Sequence, residues 1–466
     1  MSDPCNGLRH RASLWVFAMC AAGVMATLNA PSARGQFVPG FGVGFNNSPG
    51  VFLKLDGTVT VRESDEKNEL AAMRARVRAT TDAQAKGEKL VYISLPKLFA
   101  EVKALKTAGK EIPEELRFLH GMTQLRYVFV FPEQKDLVIA GPAEPWHLIH
   151  GEDDAVSYVV GTRTGHPVMQ LDDMVVAFRT ALEGRGNVFG CGIYPSPDSI
   201  KIADTIAHEM IRNTRAERMA AMQERLGPQE IRIFGTRNDT RFAYICVAAD
   251  YELKRFALNL DRAPVAHLPS AIDNTRSAAN KFWFAADYEP LLVSKDGNSF
   301  EIRGQRLEVQ CGAFDFDPRG ATKSAQNFAA QFTKQLPLLA TAVPLYAELQ
   351  NIADEALLGN LLWHDGLAEK IGWDSGWIYD DTAFPVAKVP TPKFAQTLVS
   401  YTSGSIAAGG VTLVLAPYVS ESARQADDKG TFDATSKELA ALRAAHDKDA
   451  TSDSTGAKGI FLSPSN

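Results

Sequence analysis

The sequence predicts an α+β fold: two mixed sheet-plus-helix units, β-rich N- and C-terminal extensions, and a disordered C-terminal tail. Three observations point there. An apolar fraction of 45% with 22% charged residues is ordinary for a chain that buries cores. From Leu90 onward, strand-like runs and hairpins are interspersed with segments of helical period. Gly227-Pro228 then interrupts a long helical pattern, dividing 90–226 from 228–380. At 466 residues, with 59 Gly and Pro together, the chain is neither collagen-like nor low-complexity throughout. Its net charge of −6 disfavours a protein built around nucleic-acid phosphates.

The N-terminus reads as a signal peptide over 1–35. Arg9, His10 and Arg11 precede the apolar run Leu14 to Ala26, followed by small residues and Pro31. Cleavage is expected after Gly35, with Ala30 the second choice. The run is too short to span a bilayer, which takes about 20 apolar residues. Removal leaves a net charge of −8 and three cysteines, Cys191, Cys246 and Cys311. Cys246 reads as a buried free thiol in a core strand, and Cys191 with Cys311 is the only pairing considered.

Residues 36–50 form a flexible lead-in, and their glycines lack the strand, helix and Lys-Ser/Thr ending of a phosphate loop. Residues 51–89 read as a hairpin around Asp56-Gly57 and a helix capped by Ser64, with Leu70, Met73 and Val77 as its apolar stripe. Leu90 to Ile93 is a strand, and Pro96 opens a helix through Phe99, Val102 and Leu105 that stops near Gly109. Leu125 to Phe131 and Leu137 to Ala140 form the clearest hairpin. Val156 to Val160 pairs with Val168 to Leu171, and Asp172 caps a helix through Val175, Phe178 and Leu182. Val188 to Ile193 is a strand, and a long helix starts at Pro195 with Ile202, Ile206, Met210 and Ile211 as its core stripe.

In 228–380, strands are expected at Ile231 to Phe234 and Phe242 to Ala248, then a helix from Tyr251 to Leu260. Strands follow at Lys281 to Ala286, Leu291 to Ser294, Phe300 to Arg303 and Arg306 to Cys311. Two helices, Thr322 to Leu336 and Pro344 to Trp363, are separated by breaks at Pro337 and Pro344. The β-rich extension covers 381–423. The tail, 424–466, is polar and too poor in large apolar residues to offset chain entropy.

Few segments carry chemistry. Trp146-His147-Leu148-Ile149-His150-Gly151-Glu152-Asp153-Asp154 concentrates two imidazoles and three carboxylates in what reads as a surface loop. His147, His150 and Asp153 are the ligand-binding candidates, although the two histidines would share a face only in a helix. His208-Glu209 begins like a zinc-protease helix, but Arg212 stands where the second imidazole is needed. Asp172-Asp173 reads as helix capping, the Arg212–Arg225 stretch as a solvated face, and Trp283 as core. Asp315–Asp317 and Asp447–Asp449 lack a calcium-loop pattern, and Ser196 and Ser403 have no neighbouring His in sequence.

Several segments, in order, resemble a family of exported bacterial proteins carrying a domain of unknown function. They are Leu125 to Phe129, Ile139 to Trp146, Thr164 to Asp173, Gly190 to Pro195, Ala249 to Arg255 and the helix Pro344 to Leu362. The resemblance covers most of 90–415. It implies export and a shared fold, and it brings no activity and no catalytic residues. The expectation is an uncharacterised exported protein of the periplasm, cell envelope or cell surface, binding or structural rather than catalytic. Its partner would be an envelope protein or polymer, with no nucleic acid, no cofactor, no metal and no membrane span after signal removal. The alternative is a hydrolase whose site assembles only in the fold.

Overall fold

The computed structural model describes residues 62–80, 90–150, 157–183, 189–194, 215–271, 281–312, 319–402, 405–409 and 412–413. The signal peptide, lead-in, Asp56-Gly57 hairpin, helix start at Pro195 and polar tail expected above lie outside the described residues. The N-terminal part holds β1 (Arg62–Ser64), α1 (Glu69–Thr80), β2 (Leu90–Ser94), α2 (Leu95–Thr107), α3 (Glu114–Arg117), β3 (Tyr127–Phe131) and β4 (Asp136–Pro142). Next come β5 (Trp146–His150), β6 (Ser157–Gly161), α4 (Leu171–Glu183), β7 (Gly190–Tyr194), α5 (Arg215–Leu226), β8 (Pro228–Phe234) and α6 (Arg241–Ala257). They are followed by β9 (Lys281–Asp287), β10 (Leu291–Val293), β11 (Ser299–Glu301), β12 (Arg306–Gly312), α7 (Lys323–Ala342), α8 (Pro344–Trp363) and α9 (Leu367–Lys370). Short strands close the chain: β13 (Phe394–Gln396), β14 (Leu398–Thr402), β15 (Ser405–Gly409) and β16 (Thr412–Leu413). The fold is α+β.

The largest sheet has six strands in the order β1-β10-β11-β3-β4-β2, antiparallel except where β1 joins β10. Period-2 alternation sorts the β3–β4 hairpin onto two faces. Val128, Val130, Leu137 and Ile139 enter the main core with Phe99 and Val102 of α2. Phe129, Phe131, Val138 and Ala140 pack on the other face with Val77 of α1. The helix α1 keeps its expected stripe, but Asp65, not Ser64, caps it: Leu70 N–H donates to Asp65 Oδ2 at 2.9 Å. Ser64 is taken up by β1. At α2 the cap is Ser94, whose Oγ accepts from Lys97 N–H and donates to Asp136 Oδ1.

Strands from both sides of Gly227 share this sheet, because β3 pairs with β11 in the register Phe129↔Ser299. A second sheet, β13-β8-β7-β16, also crosses that point, and β9–β12 packs against α7. The helical pattern does stop where expected. Helix α5 ends at Leu226, and Gly227 takes φ +64°, the left-handed conformation that glycine adopts without strain.

Three expected elements differ. Phe242 to Ala248 is not a strand but the first half of α6. Thr240 is extended and its Oγ1 accepts from Ala243 N–H, an N-cap that starts a 17-residue helix. The buried stripe Phe242, Ile245, Cys246, Ala249, Leu253 and Phe256 has helical spacing, which overrides the β preference of Ile245 and Val247. Pro337 does not end its helix, since α7 runs on to Ala342. The carbonyl of Thr333, deprived of its i+4 donor by Pro337, accepts instead from Gln305 Nε2. Val168 makes only a short bridge to β6, through its N–H to Val159 O at 2.9 Å, and Leu171 begins α4. On α4, Val175 and Phe178 are buried as expected, whereas Leu182 is exposed and Ala181 takes the inner position.

Candidate functional site

Helix α8 is buried along nearly its whole length, from Leu345 to Leu362. Helices enclosed on every side are normally apolar. This one carries Glu348, Gln350, Asn351, Asp354, Glu355 and Asn360 inside the core. Glu348 and Glu355 stand two turns apart on one face. Helix α4 supplies Asp173 from its first turn, and α6 supplies Arg241 as its first residue.

Arg241 bridges the two neighbouring helices: Nη1 donates to Asp173 Oδ2 and Nη2 to Glu348 Oε1. With its amide turned so that the oxygen meets the guanidinium, Gln170 accepts from Arg241 Nη2 at 3.1 Å and Nε at 3.3 Å. Glu355 lies beside them at 1% exposure, and neither of its carboxyl oxygens has a hydrogen-bond partner among the described residues. Asp173 Oδ1 is likewise unpartnered. Burial raises the Glu348 carboxyl to about 7 against the pull of Arg241. Burial, then Asp173 and Glu348, hold Glu355 well above the ordinary carboxylate range. Burial opposes charge on Arg241, but Glu348 and Asp173 outweigh it and keep the guanidinium protonated.

A second network lies on the far side of the same helix. Asp354 is fully buried; it accepts from Tyr288 Oη at 2.7 Å, and from Arg306 Nη1 and the Leu125 N–H at 3.3 Å each. Arg306 Nη2 also donates to Gln350 Oε1 at 2.9 Å. Its backbone sits at φ +73°, a strained conformation for a residue with a side chain. On α6, Lys254 donates to Asp250, both buried, and burial raises Asp250 to about 7.

The sequence candidates fall elsewhere. His147 is exposed on β5, which pairs with β6 in the register His147↔Val160. His150 is the last residue of that strand, and Asp153 lies outside the described residues. Trp146–His150 is a strand where a loop was expected, so the helical spacing that would have gathered the imidazoles is absent. Its neighbours Leu148 and Ile149 are 50% and 40% exposed. The Asp172-Asp173 pair is not a simple cap: Asp172 Oδ2 accepts from Ala387 N–H at 2.9 Å, and Asp173 is buried against Arg241. Trp283 is core as expected, with Nε1 donating to Gln310 Oε1. His208, Glu209, Arg212, Ser196, Ser403, Asp315–Asp317 and Asp447–Asp449 lie outside the described residues. Cys191, Cys246 and Cys311 are buried free thiols.

The polar positions of α8 and their partners Arg241 and Arg306 were missed. The available signal was acidic residues recurring at helical spacing inside an otherwise apolar 20-residue run. Among the described residues, no group of three or more His, Cys, Asp or Glu is arranged to hold a metal ion. Nor is any helix among them long and apolar enough to cross a membrane.

Helix α6, which carries Arg241, Cys246 and Asp250, is the main element of the stretch that places this chain beside known sequences. Residues 191–270 match the family described as Protein of unknown function (DUF1598). The expected domain of unknown function is therefore present. The DUF1598 region runs from β7 through α5, β8 and α6 and ends at residue 270, in the stretch after that helix. It contains Arg241, while Asp173, Glu348 and Glu355 come from outside it. No curated protein and no solved structure matches the chain.

Proposed function

We propose that this is an exported, non-catalytic protein of the periplasm or cell envelope that acts by contact with a protein or polymer partner, through the β5–β6 ribbon. One observation carries the reading: Leu148 and Ile149 are both exposed on adjacent positions of β5. Adjacent strand residues project to opposite faces, so the ribbon offers apolar surface on each. The ribbon forms a sheet of its own, β5 with β6, apart from the larger sheets. The layout of Arg9 to Gly35 supports export.

A photo-crosslinking residue at position 148, in the full chain in its native host, tests the contact. The expected result is one discrete adduct that is lost when Ile149 is also changed to Ser, and absent when the crosslinker sits at exposed Lys110. Equal adducts from both positions would overturn the reading. N-terminal sequencing of the protein from the same host tests export, with Gln36 or Pro31 the expected first residue.

A further inference from the structure

Three carboxyl groups and one guanidinium meet where α4, α6 and α8 pack: Asp173, Glu348, Glu355 and Arg241. With all three acids ionised, two negative charges would stand uncompensated in a place closed to water. The surrounding elements do not balance them. On α6, Lys254 is bonded to Asp250, and Glu252 lies near Asp261 and Arg255, which bond to each other. On α4, Arg179 donates to Ile378 O, Asp381 and Phe384 O, and Asp172 accepts from Ala387. Arg306 of β12 bonds Asp354, and Glu308 accepts from Gln310. Lys323 and Lys334 of α7, and Glu369 and Lys370 of α9, are exposed. From β6, Tyr158 contributes a phenol that burial keeps protonated.

We infer that this junction holds a proton belonging to the folded state, seated on Glu355, and that its loss loosens α8 from α4 and α6: an alkali-sensitive latch at the centre of the core. Glu355 is the seat because the other two acids each accept a hydrogen bond from Arg241, whereas both Glu355 oxygens stand unpartnered at 1% exposure. The proton goes to water when the junction opens, and the carboxylate left behind repels Asp173 and Glu348. The two helices are held close there. A Cβ added at Gly359 of α8 would stand 3.0 Å from Ala181 Cβ and 3.2 Å from Ala177 O of α4. The sign follows from linkage: a carboxyl protonated in the folded chain and ionised in the unfolded one makes stability fall as pH rises.

Thermal unfolding of the full chain from about pH 5 to about pH 8 tests this, with Glu355→Gln as the variant. Glutamine copies the neutral acid, so E355Q should fold, match the unaltered protein near pH 5, and show a shallower fall in Tm toward pH 8. The infrared spectrum of the unaltered protein at neutral pH should show a protonated carboxyl band, and E355Q should lose part of it. Parallel pH profiles, an E355Q that does not fold near pH 6, or no protonated carboxyl band in the unaltered protein would each overturn the inference.

Discussion

Arg241 is the cation on which the α4–α6–α8 junction depends, since it donates to both Asp173 and Glu348. Breaking a buried pair from one side leaves an uncompensated charge, which typically destabilises by about 3–5 kcal/mol. Arg241→Met should therefore lower the denaturation midpoint by that order, and more at pH 8 than at pH 5. The sign follows from linkage: burial holds Glu348 up at about 7 even beside Arg241, so without the guanidinium its folded-state carboxyl moves higher still. The unfolded chain ionises in the ordinary range, and stability falls further as pH rises. Arg241→Lys should recover only part of the loss, because one ammonium cannot reproduce the guanidinium fork. Thiol chemistry gives a second residue-scale outcome. Burial raises Cys246 and Cys191, and moves Cys311 up to about 11, so little thiolate exists at neutral pH. A thiol reagent should leave the native protein unmodified at these positions and label all three after denaturation, as read by peptide mass. This inertness was legible in the sequence for Cys246, through its apolar neighbours. The role of Asp173 was not, because an acid at a helix start satisfies the cap rules whether or not a distant arginine meets it.

At the scale of elements, the substitute hydrogen bond at Pro337 is the sharpest case. Gln305 Nε2 serves both Thr333 O and Leu307 O. Gln305→Ala should destabilise by about 1 kcal/mol, the lower end of the range for stranding an acceptor, because the bond is only part-buried. In a Pro337→Ala background the restored N–H should take over, and the Gln305→Ala penalty should shrink. A double-mutant cycle by urea denaturation measures that coupling directly. Additive effects would show that the carbonyl does not need Gln305. The same element marks where sequence reading stops. Proline is a helix breaker locally, and only a side chain 32 positions earlier decides that this one is tolerated. The β3–β4 and β10–β11 hairpins were legible because turn chemistry and period-2 patterning are local. The β-branched residues of 242–247 misled because their helical partners, Ala249, Leu253 and Phe256, lie beyond the window in which the run was read.

For the whole molecule, the pairing of β3 with β11 and the shared core imply a single cooperative transition. Calorimetry of the full chain should show one peak with matching calorimetric and van't Hoff enthalpies. Fragments 90–226 and 228–380, expressed separately, should each lack native near-ultraviolet circular dichroism. Two resolved peaks, or a fragment with native dichroism, would show that the boundary at Gly227 separates independent folding units. The break itself was legible, as a Gly-Pro pair after a helix. Its crossing by the β3–β11 pair was not, because strand partners about 170 residues apart leave no mark in either segment.

That same pairing sets a clock for biosynthesis. When β3 and β4 leave the ribosome, the strand that covers the open side of β3 has yet to be translated. At about 5–20 residues per second, the wait for β11 lasts roughly 10–30 s. During that interval the nascent chain displays an unsatisfied row of backbone amides and carbonyls beside Val128 and Phe129. Whatever binds the nascent chain in that interval therefore meets a half-built sheet, which is easily kept from closing, rather than a finished domain that would have to be pulled apart.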